Sequence, residues 1–338
     1  MLCYIISKVK IIDISEIKAE TWNGFVEKHP LGNVFQTKEM YEVYCHTKNN
    51  MPIAFAVEDK GQLQGLVLAD VITNGGKLMK PFTARSIING GPLVLDGRKE
   101  VFDLLMSEYT KSLPCYVVYS EIRPVYDFKH IEDLLKKSGF GRVGHYNLSL
   151  DVSQNEQTLW NGLHKERRRN INHAIKEGLV FREVFEDEEI GQISKLISKT
   201  YKRKQVPMSQ ENIFFQLKDI MGKYTHFFAA YYQDKMIAGQ VRLCFGDLVY
   251  AWYAGSDEDY FKLRPNDFLM WNVILWSHEK GYSIFDFGGG GEPGVQYGVR
   301  DYKLKYGCNL EEYGRFIHKH HPIIYSLGKL YAKKVIKR

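Results

Sequence analysis

The sequence contains no apolar run as long as the roughly 20 residues that a membrane-spanning helix requires. Lys8, Lys10 and Asp13 interrupt its apolar start, and no small-residue cleavage site follows, so we expect no signal peptide. Its five cysteines lie far apart and include no CxxC pair, which argues against a disulfide framework and a structural zinc site. These absences favour a protein of the reducing cytoplasm.

Sequence motifs of several reaction classes are also missing. There is no GxxxxGK(S/T) phosphate loop, no GxSxG nucleophile elbow and no HExxH zinc motif. His318, His320 and His321 cluster without a carboxylate close to them in sequence, so we expect no metal there. The chemistry that we look for therefore needs neither a covalent nucleophile nor a metal ion.

The composition itself is that of an ordinary globular protein. The chain has 338 residues, of which 44% are hydrophobic, 25% charged and 14% aromatic, and its length suggests about two domains. The net charge is +6, and the last twenty residues carry six Lys or Arg and no acid. The basic excess therefore lies in this tail, which predicts contact with an anionic surface rather than a nucleic-acid-binding face.

Helix-like and strand-like patterns alternate along the chain, which predicts an α/β fold with mixed sheets. Each half contains a hairpin signal, at Asp59-Lys60-Gly61 and at Gln233-Asp234-Lys235. We interpret the halves as two copies of one unit, although any two α/β domains can look alike at this level. The expected boundaries are a first domain over 1–150, a second over 151–318, and a basic amphipathic helix over 319–338.

The predicted elements support this plan. Helices are expected over 37–46, 98–112, 128–138, 157–177, 187–203, 209–221 and 265–280. Strands are expected over 51–58, 64–72, 115–122, 224–232, 236–245, 248–254 and 283–287.

The segment FDFGGGGEPGVQYGVRDYKLKYG, residues 285–307, carries most of the candidate chemistry. Its four consecutive glycines let a ligand approach the backbone closely. The groups around them suit carboxylate or phosphate recognition. The candidates are Asp286, Tyr297, Arg300, Tyr302, Lys303 and Lys305. The alternative is a mobile surface loop.

Two basic helical segments are further candidates for binding an anionic substrate. Arg167, Arg168 and Arg169 would fan around a helix, so only one or two of them can face a site. We take Arg168 as the contact, against the alternative of a solvated basic helix. Tyr201 and Arg203 end another helix, where cations also favour the helix dipole without any ligand.

The segment 250–271 is similar to the strand-to-helix region that binds the CoA pyrophosphate in the GNAT acyltransferase superfamily. In that superfamily the pyrophosphate lies at the helix N-terminus. Here Asp257, Glu258 and Asp259 occupy the loop, and Arg264 precedes the helix. Because three acids repel a pyrophosphate, we expect a donor other than CoA.

Several motifs in order resemble the FemABX family, the aminoacyl-tRNA-using enzymes that build peptidoglycan bridges with two tandem GNAT-like domains. The resemblance is best over about 157–315 and weaker over 1–150. The matching residues are Trp160, Leu163, Arg168-Arg169-Asn170-Ile171, Ala174, Gly178, Tyr201-Lys202-Arg203, Val206-Pro207, Ala238-Gly239, Pro265-Asn266, Phe285-Asp286-Phe287-Gly288, Tyr302-Lys303, Tyr306-Gly307, Phe35-Gln36-Thr37 and Glu121-Ile122-Arg123-Pro124.

The resemblance implies transfer of an aminoacyl group from aminoacyl-tRNA to an amine of a peptidoglycan or polysaccharide precursor, with no bound cofactor. Lys303 occupies the family's Phe-Lys position and is the expected group for stabilising the oxyanion or the leaving oxygen. Glu121 is the candidate acid in the first domain. The substrate-binding candidates are Arg168, Tyr201, Arg203, Asp286, Tyr297, Arg300, Tyr302 and Lys305.

Two alternatives stay open. The protein could instead be an N-acyltransferase that uses acyl-CoA or an acyl carrier, or a non-catalytic binding protein at the membrane. In each case we expect a cytoplasmic protein. The helix from His320 onward carries an apolar stripe that fits peripheral contact with the inner, anionic face of the membrane. The stripe consists of Ile323, Ile324, Leu327, Leu330 and Tyr331. Packing of this helix on the second domain is the other interpretation.

Overall fold

The structure, a computed structural model, describes residues 9–73, 79–205, 208 and 211–336, with side chains as far as Leu330. Val206-Pro207, which belongs to the family resemblance, lies outside the described residues. The chain divides into two compact units. Unit 1 comprises Met1–Val143 and Tyr313–Arg338, and unit 2 comprises Gly144–Glu312.

Unit 1 is built on a sheet with the strand order β1-β2-β3-β4-β6-β15-β7, in which β5 pairs with β3. Only β4 and β6 run parallel among these pairs of described strands. The strands are β1 (Lys10–Ile12), β2 (Asn50–Asp59), β3 (Gln62–Ile72), β4 (Arg85–Asn89), β5 (Leu93–Val94), β6 (Tyr119–Arg123), β7 (Gly141–Val143) and β15 (Arg315–Lys319). The helices are α1 (Ala19–Lys28), α2 (Lys38–His46), α3 (Lys80–Thr83), α4 (Lys99–Ser112), α5 (Glu132–Lys137) and α12 (Pro322–Ile336).

Unit 2 repeats the plan with the strand order β14-β8-β13-β12-β11-β10-β9. Its strands are β8 (Tyr146–Asp151), β9 (Val180–Val184), β10 (Thr225–Tyr232), β11 (Lys235–Phe245), β12 (Leu248–Ser256), β13 (Ile284–Gly291) and β14 (Asn309–Glu311). Its helices are α6 (Glu156–Gly162), α7 (Lys165–Lys176), α8 (Asp187–Arg203), α9 (Ile213–Met221), α10 (Pro265–Glu279) and α11 (Gly298–Leu304). The predicted class, mixed α/β with mixed sheets, is confirmed.

The borders of the units differ from the expected 1–150, 151–318 and 319–338. β8 pairs with β13 and therefore belongs to the sheet of unit 2. β15 pairs with β6 and β7, so the chain returns to unit 1 at Tyr313, and α12 belongs to unit 1 as well. Strand partners far apart in sequence decide these borders, and a sequence pattern does not reveal such partners.

The helix expected over 157–177 is two helices, α6 and α7. Leu163 is buried between them, and His164 has extended backbone dihedrals. The His164 N–H donates to the Lys305 carbonyl at 2.9 Å, and its ring accepts from the Glu166 N–H at 3.3 Å. His164 thus caps α7 and directs that helix independently of α6.

The strand expected over 283–287 extends through the glycine run as β13, and α11 follows it. β12 and β13 run parallel but pair only from Leu248 with Ile284 to Tyr250 with Asp286. Beyond these pairs β12 continues to Ser256 and β13 continues to Gly291, but the two strands are no longer paired with each other. Gly288, at φ 73°, lies where they separate, in a conformation that favours glycine.

Candidate functional site

The candidate site of unit 2 lies along the glycine end of β13, which α11 covers. The Lys303 ammonium group on α11 donates to the carbonyl of Gly289 at 2.8 Å. It is half-buried, and it interacts electrostatically with Asp286. The structure thus brings Lys303 and Asp286 together, although 17 positions separate them in sequence.

Asp286 is a buried carboxylate held by two donors. Its Oδ1 accepts from the Gly288 N–H at 2.6 Å and from the Asn147 side-chain amide at 3.1 Å. Burial raises the pKa of Asp286 to about 6, although these hydrogen bonds and the Lys303 charge act against that rise. Asp286 is therefore a negative charge of fixed orientation that is sensitive to pH near neutrality.

Arg300 holds the backbone of the loop that follows β13. Its guanidinium donates to the carbonyls of Gly290 at 3.1 Å and Glu292 at 3.2 Å, and it lies 5.4 Å from the ring centre of Tyr146. Tyr297, which is 40% exposed, lies against Gly291. Arg300 is thus engaged with carbonyl groups, whereas Tyr297 offers an exposed ring beside the glycines.

A buried polar cluster joins α7, α10 and the residues after α11. Arg167 forms an ion pair with Asp267, which also accepts from Asn170 at 2.7 Å and from the Tyr306 hydroxyl at 3.0 Å. The Arg167 guanidinium lies 4.7 Å from the ring centre of Tyr302. This cluster anchors α11, and with it Lys303, to the core of unit 2.

The sequence analysis selected Arg168, but the structure places Arg167 in this cluster. Arg168 is half-buried and donates to the Asn161 carbonyl at 3.1 Å. Asn170 and Asp267 were also missed. Arg167 and Asn170 are three residues apart and therefore share one side of α7, which is the signal that could have found them.

The other phenol and lysine candidates are engaged within unit 2. The Tyr302 hydroxyl lies 2.8 Å from that of Tyr306, and burial raises the Tyr302 pKa above its ordinary range. The Lys305 ammonium donates to Glu166 at 2.6 Å, and the side chains of both residues are about one third exposed. Lys305 therefore forms an ion pair between α11 and α7 at the surface of the cluster.

Tyr201 and Arg203, at the end of α8, point to different neighbours. Tyr201 packs on Tyr253 with ring centres 5.5 Å apart, and burial raises its pKa. Arg203 donates to Glu258 at 2.9 Å and lies 5.0 Å from the ring centre of Phe261. Arg203 is therefore paired with one of the three acids that precede α10.

Acidic side chains precede α10 and lie in its first turn, whereas the residue at its N-cap is Arg264. Asp257 accepts from the Asp259 N–H at 3.3 Å and pairs with Lys235 at 3.3 Å. The buried carboxylate of Asp267 lies in the first turn of α10. Asp257 caps the 3-10 turn Glu258–Leu263, and Asp267 is held by Arg167, so both acids are engaged within unit 2 near the start of α10.

Arg242 on β11 is a buried cation that the sequence analysis missed. It is 1% exposed and donates to the Val241 carbonyl at 3.1 Å, beside the bulge in β11 and β12. Burial lowers the pKa of Arg242 to about 9, although its interactions with Tyr201 and Tyr302 act in the opposite direction. Arg242 supports the bulge and adds positive charge near both phenols.

Glu121, the candidate acid of the first domain, lies on β6 in unit 1. It is 5% exposed and forms ion pairs with Arg315 at 2.6 Å and with Arg123 at 2.9 Å. Burial alone would raise its pKa, but the two guanidinium groups outweigh burial and lower it to about 2. A carboxylate with this pKa is a poor proton acceptor near pH 7, so the surroundings of Glu121 suit a structural ion pair.

Among the described residues no group of three or more His, Cys, Asp or Glu is arranged to hold a metal ion. No helix in the described ranges combines the length and the apolar character that crossing a membrane would require.

Comparison with known proteins agrees with this architecture. Residues 163–304, within unit 2, match the model of the acetyltransferase (GNAT) domain family. The search of curated proteins found no match. The crystal structure of FemX superposes with a TM-score of 0.71 at 16% identity, covering 94% of this chain and 99% of that chain.

Two further solved structures are similar. L-PGS from Bacillus licheniformis gives a TM-score of 0.60 at 14% identity, over 93% of this chain and 96% of that chain. A tandem GNAT protein from the clavulanic acid biosynthesis pathway gives 0.60 at 9% identity, over 93% of this chain and 99% of that chain. The chain therefore has the FemABX-like tandem GNAT fold that its motifs indicated, and unit 2 carries a GNAT-type acyltransferase domain.

Proposed function

We propose that this protein transfers an aminoacyl group onto an amine of a peptidoglycan or other cell-envelope precursor. The observation that carries the proposal is the position of Lys303. Its ammonium group is fixed on the Gly289 carbonyl, beside Asp286, where β12 and β13 separate. The similarity to FemX supports the fold, and the substrate is part of our proposal.

The arrangement suits acyl transfer without a covalent intermediate. A neutral amine attacks the activated carbonyl, the tetrahedral oxyanion forms, and the leaving oxygen departs with a proton. We assign Lys303 to the oxyanion or the leaving oxygen, because a preorganised cation in a half-buried site stabilises developing negative charge. We assign Asp286 as a positioning residue, since its carboxylate interacts electrostatically with Lys303 and is held by Gly288 and Asn147.

We propose aminoacyl-tRNA as the donor, with no bound cofactor. Support comes from the segment before α10, which carries the acids Asp257, Glu258 and Asp259. A CoA pyrophosphate at this position would meet like charge. We therefore expect weak or no acetyl-CoA binding, and calorimetry that shows micromolar affinity would contradict this part of the proposal.

A second candidate is an N-acyltransferase that takes its acyl group from acyl-CoA or an acyl carrier. The match of residues 163–304 to an acetyltransferase family favours it. The amine acceptor and the role of Lys303 stay the same in this alternative. The two candidates differ only in the donor, so one assay separates them.

The assay incubates the protein with envelope precursors and either charged tRNA or acyl-CoAs, and mass spectrometry identifies the product. The proposal predicts a precursor that gains one aminoacyl residue with charged tRNA only. Lys303→Ala tests the site, and Lys280→Ala at an exposed position is the matched control. A product that forms equally well with both variants, or no product with any donor, contradicts the proposal.

We place the enzyme in the cytoplasm, with peripheral contact at the inner face of the membrane. Docking there would hold the enzyme beside a lipid-linked acceptor. The surface that would make this contact belongs to unit 1. Membrane contact is therefore independent of the identity of the donor.

A further inference from the structure

Unit 1 exposes five large apolar side chains on two short stretches of chain. On and just before α3, Met79 is 47% exposed and Phe82 is 61% exposed. On α12, Ile323 is 78%, Leu327 61% and Leu330 60% exposed. Exposed apolar residues are ordinary when they are scattered, but a group on adjoining elements points to an interaction surface.

The two stretches adjoin because both are anchored on Val118. The Val118 N–H donates to the carbonyl of Ala84, the residue that ends α3, at 2.9 Å. The Val118 carbonyl accepts from the N–H groups of His320 and His321, each at 3.0 Å, directly before α12 begins. α3 therefore ends, and α12 begins, at the same end of the sheet of unit 1.

The exposed residues of α12 lie on one side of that helix. Ile323, Leu327 and Leu330 follow the spacing of four and three residues that places side chains on one face. Tyr325 faces the other way, with its ring 5.1 Å from that of Tyr119 on β6. One side of α12 thus packs on unit 1, and the apolar stripe points outward.

Basic side chains lie close in sequence to both stretches. The Lys80 ammonium lies 5.7 Å from the ring centre of Tyr116, and the Lys319 ammonium lies 5.1 Å from that of Tyr325. Neither lysine forms an ion pair with a carboxylate in the part of the chain that the structure describes. Lys329 is an exposed residue of α12. The sequence adds basic residues and no acid from Lys319 to its end.

We propose that this α3–α12 face, formed by Met79, Phe82, Ile323, Leu327 and Leu330 with Lys80, Lys319 and Lys329, docks on the surface of an anionic lipid membrane. Apolar side chains with lysines beside them suit the boundary between acyl chains and anionic headgroups. The chain from Lys319 to its end carries basic residues and no acid, which favours an anionic surface over a second copy of the chain, because two such basic segments would repel each other.

The docking deepens the proposed function, since it would bring the acceptor in as a lipid-linked precursor. The contact itself depends only on unit 1. Membrane binding and transfer activity can therefore fail separately, and the test below measures binding alone.

The test is co-sedimentation of the full-length protein with vesicles. We expect binding to vesicles of phosphatidylcholine mixed with phosphatidylglycerol, weaker binding at high salt, and little binding to phosphatidylcholine alone. Leu327→Ser combined with Leu330→Ser should weaken binding by about tenfold or more, because two apolar groups no longer enter the interface. Phe82→Ser should also weaken vesicle binding. If α12 alone made the contact, this substitution on α3 would have no effect.

The charge is tested with Lys80→Ala and Lys319→Ala, each of which should weaken binding about fivefold, the effect of about 1 kcal/mol per lysine. Phe185→Ser is the matched control, because Phe185 is 64% exposed but belongs to unit 2. Circular dichroism confirms that each variant is folded.

Two results overturn the proposal. The first is that the full-length protein does not bind the anionic vesicles, or that the variants of the α3–α12 face bind them as strongly as Phe185→Ser does. The second is a dimer in analytical ultracentrifugation that the Leu327 and Leu330 substitutions dissociate, which assigns the face to a second copy of the chain.

Discussion

The two units share a plan but differ at their parallel strand pair. In each unit a crossover helix joins the two parallel strands, α4 before β6 and α10 before β13. In unit 1, β4 and β6 pair along their full length, from Arg85 with Tyr119 to Asn89 with Arg123. In unit 2, β12 and β13 pair at three positions and then separate. Beyond these three pairs, the glycine end of β13 pairs with β8 instead of β12 and contacts α11.

The buried acids of the two units also differ, in their pKa values and in their ion pairs. Glu121 in unit 1 lies between two guanidinium groups and has a pKa of about 2, whereas Asp286 in unit 2 has a pKa of about 6. A carboxylate locked in ion pairs stabilises a fold, and one that titrates near neutrality beside a lysine suits a reaction. This difference supports our proposal that the chemistry lies in unit 2, whereas unit 1 carries the proposed α3–α12 face.

The largest expected effect tests the cluster that anchors α11. Arg167→Ala leaves the buried carboxylate of Asp267 without its ion-pair partner, which should lower the free energy of unfolding by about 3–5 kcal/mol. Arg168→Ala is the control on the same helix and should change stability by less than about 0.5 kcal/mol. Urea unfolding measures both, and equal losses would contradict the assignment of Arg167 to the cluster.

Glu121→Gln tests the structural role of the acid in unit 1. The folded pKa of Glu121, about 2, lies below its ordinary value of 4.5. The ionised group therefore stabilises the fold fully above its unfolded pKa, and this contribution disappears as the pH falls through the folded pKa. At pH 7 we expect a loss of about 3 kcal/mol.

The pH dependence of the Glu121 variant provides the check. The difference in unfolding free energy between wild type and Glu121→Gln should shrink as the pH falls from 5 towards 2, by roughly 1.4 kcal/mol for each pH unit. A difference that stays constant over this range would show that Glu121 acts through packing alone.

Lys303→Ala tests the chemistry of unit 2. We expect turnover to fall by at least about 100-fold with the fold intact, the effect of losing one oxyanion contact. Arg168→Ala should mainly raise the apparent KM if Arg168 contacts the substrate. Steady-state kinetics on precursor and donor measure both, and unchanged turnover in Lys303→Ala would move the chemistry elsewhere.

Asp286→Asn tests the pH dependence of unit 2. The raised pKa of Asp286 means that its ionised form destabilises the fold, so the protein should become more stable as the pH falls through about 6. Activity should fall over the same range, because protonation removes the charge that faces Lys303. In Asp286→Asn this step in the pH profile should vanish; a step that persists would assign the titration to another group.

Local patterns were sufficient where short-range contacts decide the structure. α8 begins at Asp187 and ends at Arg203 as predicted, because its apolar spacing and acidic first turn are both local. Both hairpins form at the predicted turns, and Lys60 and Gly61 adopt the positive φ values that a tight turn requires. The resemblance to FemABX likewise indicated the tandem GNAT fold.

The candidate site could be predicted only in part. The segment 285–307 was identified, and the structure places Asp286, Lys303, Tyr297 and Arg300 around its glycines. The choice among three consecutive arginines was not decided by the sequence, because it depends on Asp267 in a distant helix. Arg242 gave no signal, since an arginine in a strand pattern normally indicates an exposed position.

The sequence by itself determined the periodicity of the elements, the turns, the basic end of the chain and the order of the motifs. These depend on residues a few positions apart. The tertiary structure decided the borders of the units, the separation of β12 from β13 and the opposite pKa shifts of Glu121 and Asp286. Each of these depends on groups far apart in the chain, and only folding places their charges and hydrogen-bond partners within reach.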